Sequence, residues 1–508
     1  MTSSSPPRSY APDHSRSARA GSAAAASRVE REDLVTFVNA AFSSTGQREF
    51  YGDAFGQAIS IEFLHEYIRG NYRQLYARSL AVGLNYFNTA KVIVGLLSTS
   101  KEVSGETWRE EGRLCAAAMQ RLPPPQAYRL LRTLVARRVN NRRTRALVRQ
   151  WLRTRSDLAF DAVKYRTALR AAVRHCHLAL PEELGRFLFG DRGGRKGGWA
   201  YEHPLLDAYR RAHYDTRAIY ELPYTVAEGF ASSHGIDRAT FLAGIEPRMT
   251  KRERLRLQQA GAREGVAVTV DLDALGLTRL CSFVVTRSLD ERRRRGDEFH
   301  DALTQAAERV VAQQRFALGS VTAVLDSSYS MSGSTAKRRR PLAVILAGHY
   351  LLRAASEEYR AEWTTPPQVD PALPDSALGI EPRGSTDLAS PILRALRGRP
   401  SLVVVLSDGY DNDPPGGAGE VLRVFRESLD PQGRTVIVHA NPVFDADDFS
   451  PRALTPRIPT IGVRNAEDLP AMLSFAHFAA DDGALDGLEG FLDERVQAFV
   501  AETPKGGS

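Results

Sequence analysis

The amino-acid sequence predicts a multidomain protein of the α + α/β class, a mostly helical N-terminal domain followed by a doubly wound, Rossmann-like α/β domain. Three observations predict this. The chain has 508 residues, beyond the roughly 250–300 at which a single hydrophobic core stops growing. From about residue 31 to residue 244, short segments with helical apolar spacing are separated by breakers. From about residue 317 onward, apolar runs of strand length alternate with helical segments, which implies a parallel sheet covered on both faces.

Taken in order, residues 1–31 are rich in Ser, Ala and Arg and poor in large apolar side chains, so they read as a solvated, disordered tail. Residues 32–315 form the helical domain. Within it, residues 80–97 read as one buried helix or a helix pair, and Arg121-Leu122-Pro123-Pro124-Pro125 interrupts the pattern. Helices follow at 126–139, 142–155 and 159–178, and a short one begins at Pro181 and ends in the Gly-rich loop 190–198. Helices of about 10–18 residues joined by short turns pack as antiparallel pairs, and a HEAT-like α-solenoid is one such packing, here without a sequence motif at fixed period. The apolar runs 266–270 and 281–285 read as strands, and 297–314 as a helix leading into the last domain. That domain, 316–502, has strands at 321–325, 402–406 and 434–439 and helices at 342–359, 418–428 and 488–501, before a short tail at 503–508.

Composition narrows the function. Hydrophobic residues make up 43% of the chain and charged residues 25%, as in soluble globular proteins. No run approaches the ~20 apolar residues of a membrane-spanning helix. Cys115, Cys176 and Cys281 are far apart and odd in number, which argues against a disulfide framework and for a reducing, cytoplasmic setting. Charge is divided unevenly. Residues 321–508 carry 18 basic and 26 acidic side chains, whereas residues 1–320 carry 50 and 34. A basic half points to nucleic acid or another acidic surface, and an acidic half to cation binding.

Asp326-Ser327-Ser328-Tyr329-Ser330 directly follows the apolar strand 321–325. Alternate residues Asp326, Ser328 and Ser330 can turn to one side of this loop, offering a carboxylate and two hydroxyls. These are the hard oxygen ligands that Mg²⁺ prefers, and Mn²⁺ suits the same set. Gly384-Ser385-Thr386-Asp387 offers another hydroxyl, and Val403-Val404-Val405-Leu406-Ser407-Asp408-Gly409 places Asp408 at the end of a second buried strand. Both aspartates then sit at the carboxyl ends of strands, the rim where open α/β sheets bind ligands. The order Asp-x-Ser-x-Ser, then Thr, then Asp resembles the metal-ion-dependent adhesion site of the von Willebrand factor A family. The resemblance implies that Asp326, Ser328, Ser330, Thr386 and Asp408 hold a divalent cation, some through water, with one position left open for an acidic group of a partner. Asp387, Asp411 and Asp413 read as solvated loop acids near this rim, and Lys337 to Arg340 as a solvated helix start.

In the helical half, Arg142, Arg145, Arg149 and Arg153 fall at i, i+3, i+7 and i+11 and line one helix face, opposite Leu147, Val148 and Trp151. Arg166, Arg170, Arg174 and His177 repeat the device. If the two helices pack side by side, these residues, together with Arg137, Arg138, Lys164, Arg192, Arg195 and Lys196, form a phosphate-binding footprint for RNA. The preponderance of Arg over Lys favours bidentate phosphate contacts. His175-Cys176-His177 does not make a metal site, because adjacent helical residues point apart. Tyr67, Tyr72, Tyr76, Tyr86 and Phe87 read as core aromatics, any exposed one being able to stack on a base. The chain has no Gly-x-x-x-x-Gly-Lys-Ser/Thr, His-Glu-x-x-His or Gly-x-Ser-x-Gly motif.

A basic helical region such as Val139-Asn140-Asn141-Arg142-Arg143-Thr144-Arg145 and Ala162-Val163-Lys164-Tyr165-Arg166, followed by an A-type domain in about 500 residues, resembles the Ro autoantigen (TROVE domain) family. That resemblance implies a ring of HEAT-like helices closed against the A-type domain, single-stranded RNA ends in the ring, a small structured RNA on the basic outer face, and no enzymatic activity of its own. The alternative is a metal-dependent protein-interaction module, or co-chaperone, that works beside a MoxR-type AAA+ ATPase. A metal-dependent hydrolase is a weaker third reading, because the five ligand positions supply no general base.

Overall fold

A computed structural model of the chain describes residues 14–49, 54–190, 200–250, 253–254, 257, 270–447, 449–480 and 485–502. The first helix, His14–Ser43, runs straight across residue 31. Ala-rich sequence has the highest helix propensity, and no breaker separates it from the amphipathic segment that follows. From Arg31 on, one face is buried through Leu34, Phe37, Val38 and Ala41. Further helices include Ala54–Asn71, Tyr86–Ser98, Gly105–Arg121, Pro124–Ala136, Arg142–Arg153, Leu158–Lys164, Arg166–Cys176 and Glu182–Phe189, each resting on neighbours one to three places along the chain. The predicted 159–178 helix is therefore two helices. Tyr165 leaves helical geometry between them and stacks on Tyr128 at 4.5 Å between ring centroids.

Residues 281–285 are not a strand, as predicted, but the end of the helix Leu277–Val285. A five-residue apolar run has no period that separates helix from strand. Leu277, Leu280, Cys281 and Val284 lie at helical spacing and are fully buried; this helix packs on the helices Arg340–Ala355 and Gly296–Gln314. Of the other predicted strand, residues 266–269 lie outside the described residues.

The C-terminal half is a five-stranded parallel sheet. Its strands are β1 Leu318–Leu325, β2 Ser356–Trp363, β3 Leu402–Leu406, β4 Val436–Asn441 and β5 Thr460–Gly462, in the order β2-β1-β3-β4-β5. β2 occupies sequence predicted as the end of helix 342–359; the helix stops at Ala355 and passes straight into the strand. Glu357, Glu358, Arg360 and Glu362 fit a charged edge strand with one neighbour, and no apolar alternation marks it. Side chains alternate across the sheet. Ala323, Leu325, Val404 and Leu406 face the helix Arg340–Ala355, whereas Val324, Val403 and Val405 face the helices Ala389–Arg397 and Gly417–Val424. Gly348 allows the close approach on the first face, since a Cβ there would lie 2.7 Å from Leu406 Cδ1.

Both ends of the helical half rest on this α/β domain. The helix His14–Ser43 covers the outer edge of β5. The Asn39 side chain donates to Thr460 O and accepts from Gly462 N, both at 3.0 Å, replacing the bonds a further strand would make. At the other end the helices Leu277–Val285 and Gly296–Gln314 pack on Arg340–Ala355, and Glu467 accepts from Thr278 N at 3.1 Å. Among the described residues no helix is long and apolar enough to cross a membrane.

Candidate functional site

The direction of strand order reverses between β1 and β3. At such a switch point the loops leaving the two strands diverge and open a crevice at their carboxyl ends. Asp326 immediately follows β1, and Asp408 lies two residues beyond β3. Register pairs Leu325 with Leu406, and Asp326 N donates to Leu406 O at 3.0 Å, so both aspartates reach the same crevice.

The remaining predicted ligands are brought there by loop bonds. Ser328 N donates to Asp326 Oδ1 at 2.9 Å, which curls the loop after β1. Ser328 Oγ and Ser330 Oγ lie 3.2 Å apart, and the Ser330 hydroxyl bonds the Asp408 carboxyl. The loop carrying Thr386 is laced to both sides. Arg383 N donates to Ser327 O at 2.9 Å and Tyr329 N to Gly384 O at 3.1 Å. On the other side, Thr386 N donates to Asn412 Oδ1 at 3.0 Å. Asp326, Ser328, Ser330, Thr386 and Asp408 are all between 0% and 4% exposed, so none is an ordinary solvated loop residue.

The crevice gathers acidic side chains away from water. Burial pushes the Asp326 carboxyl up. Burial and then repulsion from Asp326 push Asp408 up to about 7. Two carboxylates share a dry pocket with hydroxyls and backbone amides, and hydroxyls do not neutralise charge. Arg452 offsets part of the Asp408 charge, and a hard divalent cation matches the oxygen-only donors and the charge that remains. These five residues fit Mg²⁺ or Mn²⁺. Among the described residues no group of three or more His, Cys, Asp or Glu suited to a metal exists, and this site instead joins two carboxylates to three hydroxyls.

Three supporting residues carry no motif of their own. Ser407 Oγ donates to Asp326 Oδ2 at 2.7 Å and orients it. Thr364, just past β2, accepts from Ser327 N at 2.9 Å. Asn412 anchors Thr386. Ser407 lay inside the motif-bearing segment, whereas Thr364 was hidden with the strand that precedes it. The loop acids build the rim rather than simply meeting solvent. Asp387 accepts from Ser390 N at 2.9 Å, Asp411 from Ala418 N at 2.7 Å, and Asp413 from Ser385 Oγ at 2.5 Å. Lys337 to Arg340 is not a solvated helix start. Lys337 forms a buried ion pair with Glu49 of the helical half, Arg339 pairs with Glu381 at 2.6 Å, and Arg340 donates to Asn465 Oδ1 at 2.6 Å.

The predicted basic surface divides into two groups. The helices Arg142–Arg153 and Arg166–Cys176 do pack against each other, joined where Asn140 Nδ2 donates to His175 O at 2.6 Å. Arg138, Arg142, Arg149, Arg153, Arg170 and Arg174 are exposed and Arg145 half-buried. Among the described residues none of these seven forms an ion pair. Arg170 and Arg174 flank the Phe189 ring at 5.8 and 5.7 Å.

The other predicted contacts are structural. Lys164 pairs with Glu253 at 3.2 Å. Arg166 donates to Phe187 O at 2.9 Å and lies over the Phe187 and Tyr209 rings. Arg137 is exposed but pairs with Glu62 at 3.1 Å. Arg192, Arg195 and Lys196 lie outside the described residues. His175, Cys176 and His177 diverge as expected: His175 Nε2 meets Val139 O at 3.0 Å, Cys176 is a buried free thiol, and His177 ends its helix at φ 51°.

The chain matches no protein-family model and no curated protein. Among solved structures it is similar to the Ro (RSR) protein of Deinococcus radiodurans, at 15% sequence identity over 89% of this chain and 100% of that one, with a TM-score of 0.43.

Proposed function

We propose that this protein is a non-enzymatic RNA-binding scaffold, in which the helical half grips RNA phosphates and the α/β half holds Mg²⁺ or Mn²⁺ and, through it, an acidic group of a partner. One observation carries the RNA reading. Seven arginines, Arg142, Arg145, Arg149, Arg153, Arg170 and Arg174 on two adjoining helices and Arg138 in the turn before the first, have no carboxylate partner among the described residues, while Arg143 and Arg155, interleaved with them, do. Arg143 pairs with Glu111 at 2.9 Å and Arg155 with Asp161 at 2.5 Å. Neither helix carries an acidic side chain, so no ion pair along its own face neutralises these guanidiniums. Unpaired guanidiniums in rows are instead suited to bidentate contacts with successive phosphates.

Binding of the purified protein to a structured RNA with a single-stranded 3′ tail tests this reading, with a blunt duplex of the same length as comparison. The scaffold reading predicts binding that weakens steeply as salt rises and that prefers the tailed RNA. Absence of binding at low salt would remove RNA from the account and leave the metal site, with a protein partner such as an AAA+ ATPase, as the function.

A further inference from the structure

A cavity of about 200 Å³ opens between the helices Ala54–Asn71, Tyr86–Ser98 and Pro124–Ala136, away from the metal crevice. Aromatic rings form one wall. The Cζ end of the Phe87 ring abuts Gly46, whose φ is +69° and where a Cβ would come 2.7 Å from Cζ, so only glycine serves there, and Lys91 Nζ lies 5.2 Å from the ring centroid. Tyr86 stands beside it, 39% exposed, with the Arg464 guanidinium from the α/β domain 5.8 Å above its ring. The depth of the cavity is kept open by Gly95, where a Cβ would meet the Tyr76 hydroxyl at 3.2 Å.

The charges of the cavity are not balanced. Lys91 and Arg137 share the single carboxylate of Glu62, which offsets one of their two charges. His65 is buried with both ring nitrogens satisfied, by the Tyr76 hydroxyl at 2.8 Å and Asn88 Oδ1 at 3.1 Å, and contributes no net charge. Arg69 and Arg129 line the same space and make no ion pair among the described residues. Glu66 is exposed at the mouth.

We infer that this cavity is a binding site for a single nucleotide unit, with its base against Tyr86 and Phe87 and its phosphate on Arg69 and Arg129. A simple anion would make no use of two presented rings, and an apolar ligand would leave two guanidiniums uncompensated. Aromatic faces receive unpaired bases of any sequence, and the planar guanidinium fork receives phosphate oxygens in pairs. The cavity admits one ring system and excludes a duplex. The unit is either a free nucleotide or an unpaired nucleotide of a strand, since the two share this chemistry.

Calorimetry on the full chain tests the inference, using AMP, UMP, inorganic phosphate and a seven-residue oligouridylate as probes. Tyr86→Ala and Arg129→Ala alter exposed side chains and leave the fold intact, and the triple variant Arg142→Ala, Arg145→Ala, Arg149→Ala serves as the control for the outer arginine surface. Loss of base–aromatic stacking in Tyr86→Ala and of charge-assisted phosphate bonds in Arg129→Ala should each lower affinity about tenfold or more, while the triple variant keeps its AMP affinity. Inorganic phosphate should bind at least about tenfold more weakly than AMP. AMP binding as tightly as the oligomer identifies a free nucleotide as ligand. Oligomer binding that depends on Tyr86, without AMP binding, identifies a strand. The inference is overturned if no probe binds, if phosphate binds measurably and as tightly as AMP, or if neither pocket variant changes binding of any probe. Either result leaves the outer arginine surface untouched, because that surface answers to the triple variant alone.

Discussion

Arg142 and Arg143 are neighbours in sequence with opposite assignments, and Glu111 divides them. Glu111 is 1% exposed and accepts from Arg143 Nη1 at 2.9 Å and from Arg73 Nε at 2.7 Å. Arg143 is itself buried, donates to Trp108 O at 3.0 Å, and its guanidinium lies 5.4 Å from the Trp108 ring centroid. Glu111→Ala leaves Arg143 buried without a carboxylate. Arg73 keeps Glu102 at 3.1 Å and adds little to the cost. Removing one partner of a buried ion pair costs about 3–5 kcal/mol, a large share of the roughly 5–15 kcal/mol that holds a domain together. Urea unfolding, followed by circular dichroism, should show Glu111→Ala and Arg143→Ala each shifted to markedly lower denaturant. Arg142→Ala, one residue away but exposed and unpaired, should stay within about 0.5 kcal/mol of wild type and lose RNA affinity instead. The reasoning fails if Glu111→Ala is as stable as wild type, or if Arg142→Ala destabilises as much as Arg143→Ala.

Three further expectations follow from the aspartate crevice, with the cation proposed for it, and the join between the halves. Asp326→Ala should abolish any rise in melting temperature on adding Mg²⁺ or Mn²⁺ while the metal-free variant keeps its far-UV spectrum; loss of the folded state would make the site structural rather than open. Asp408 has a folded pKa of about 7, above the ~3.9 of an unfolded aspartate. Its contribution to metal-free stability is therefore present below about pH 4 and lost as pH rises to about 7. Denaturation in chelator should show that decline, saturating Mg²⁺ should restore stability above pH 7, and Asp408→Asn should flatten both profiles; coincident wild-type profiles with and without Mg²⁺ would contradict it. Lys337→Met leaves Glu49 buried and unpaired, at a cost of about 3–5 kcal/mol. Limited proteolysis should then cut between the halves faster than in wild type, and adding Glu49→Leu should recover most of the loss. A double variant no more stable than Lys337→Met alone would mean the pair is not what joins them.

What could be read from the sequence depended on how far apart the deciding residues lie. The meeting of Asp326, Ser328, Ser330, Thr386 and Asp408 in one crevice was legible because each sits at a strand end or in a short polar loop, and strand ends meet wherever parallel strands are adjacent. Val403, Val404 and Val405 are buried on both faces and read as a strand without ambiguity. β2 was not legible: half of Ser356 to Trp363 is charged, and Ala354 and Ala355 before it continue a helical pattern. The run Cys281 to Val285 misled in the other direction, since burial on all sides removes the period that distinguishes helix from strand. Long-range partners were beyond reach. Nothing local in Arg143, Lys164 or Lys337 distinguishes them from solvated cations; Glu111, Glu253 and Glu49, which bury or bind them, lie 32, 89 and 288 residues away.

The most direct test of the account is the salt dependence of RNA binding. Affinity for the tailed RNA is measured across a range of salt concentrations for wild type and for the triple variant Arg142→Ala, Arg145→Ala, Arg149→Ala, and the logarithm of affinity is plotted against the logarithm of salt. Each phosphate contact removed should lower the slope by about 0.7–0.9. The account predicts a steep wild-type slope and a variant slope flatter by up to about three such steps. A triple variant that binds with the wild-type slope would show that these arginines form a solvated face and do not contact phosphate.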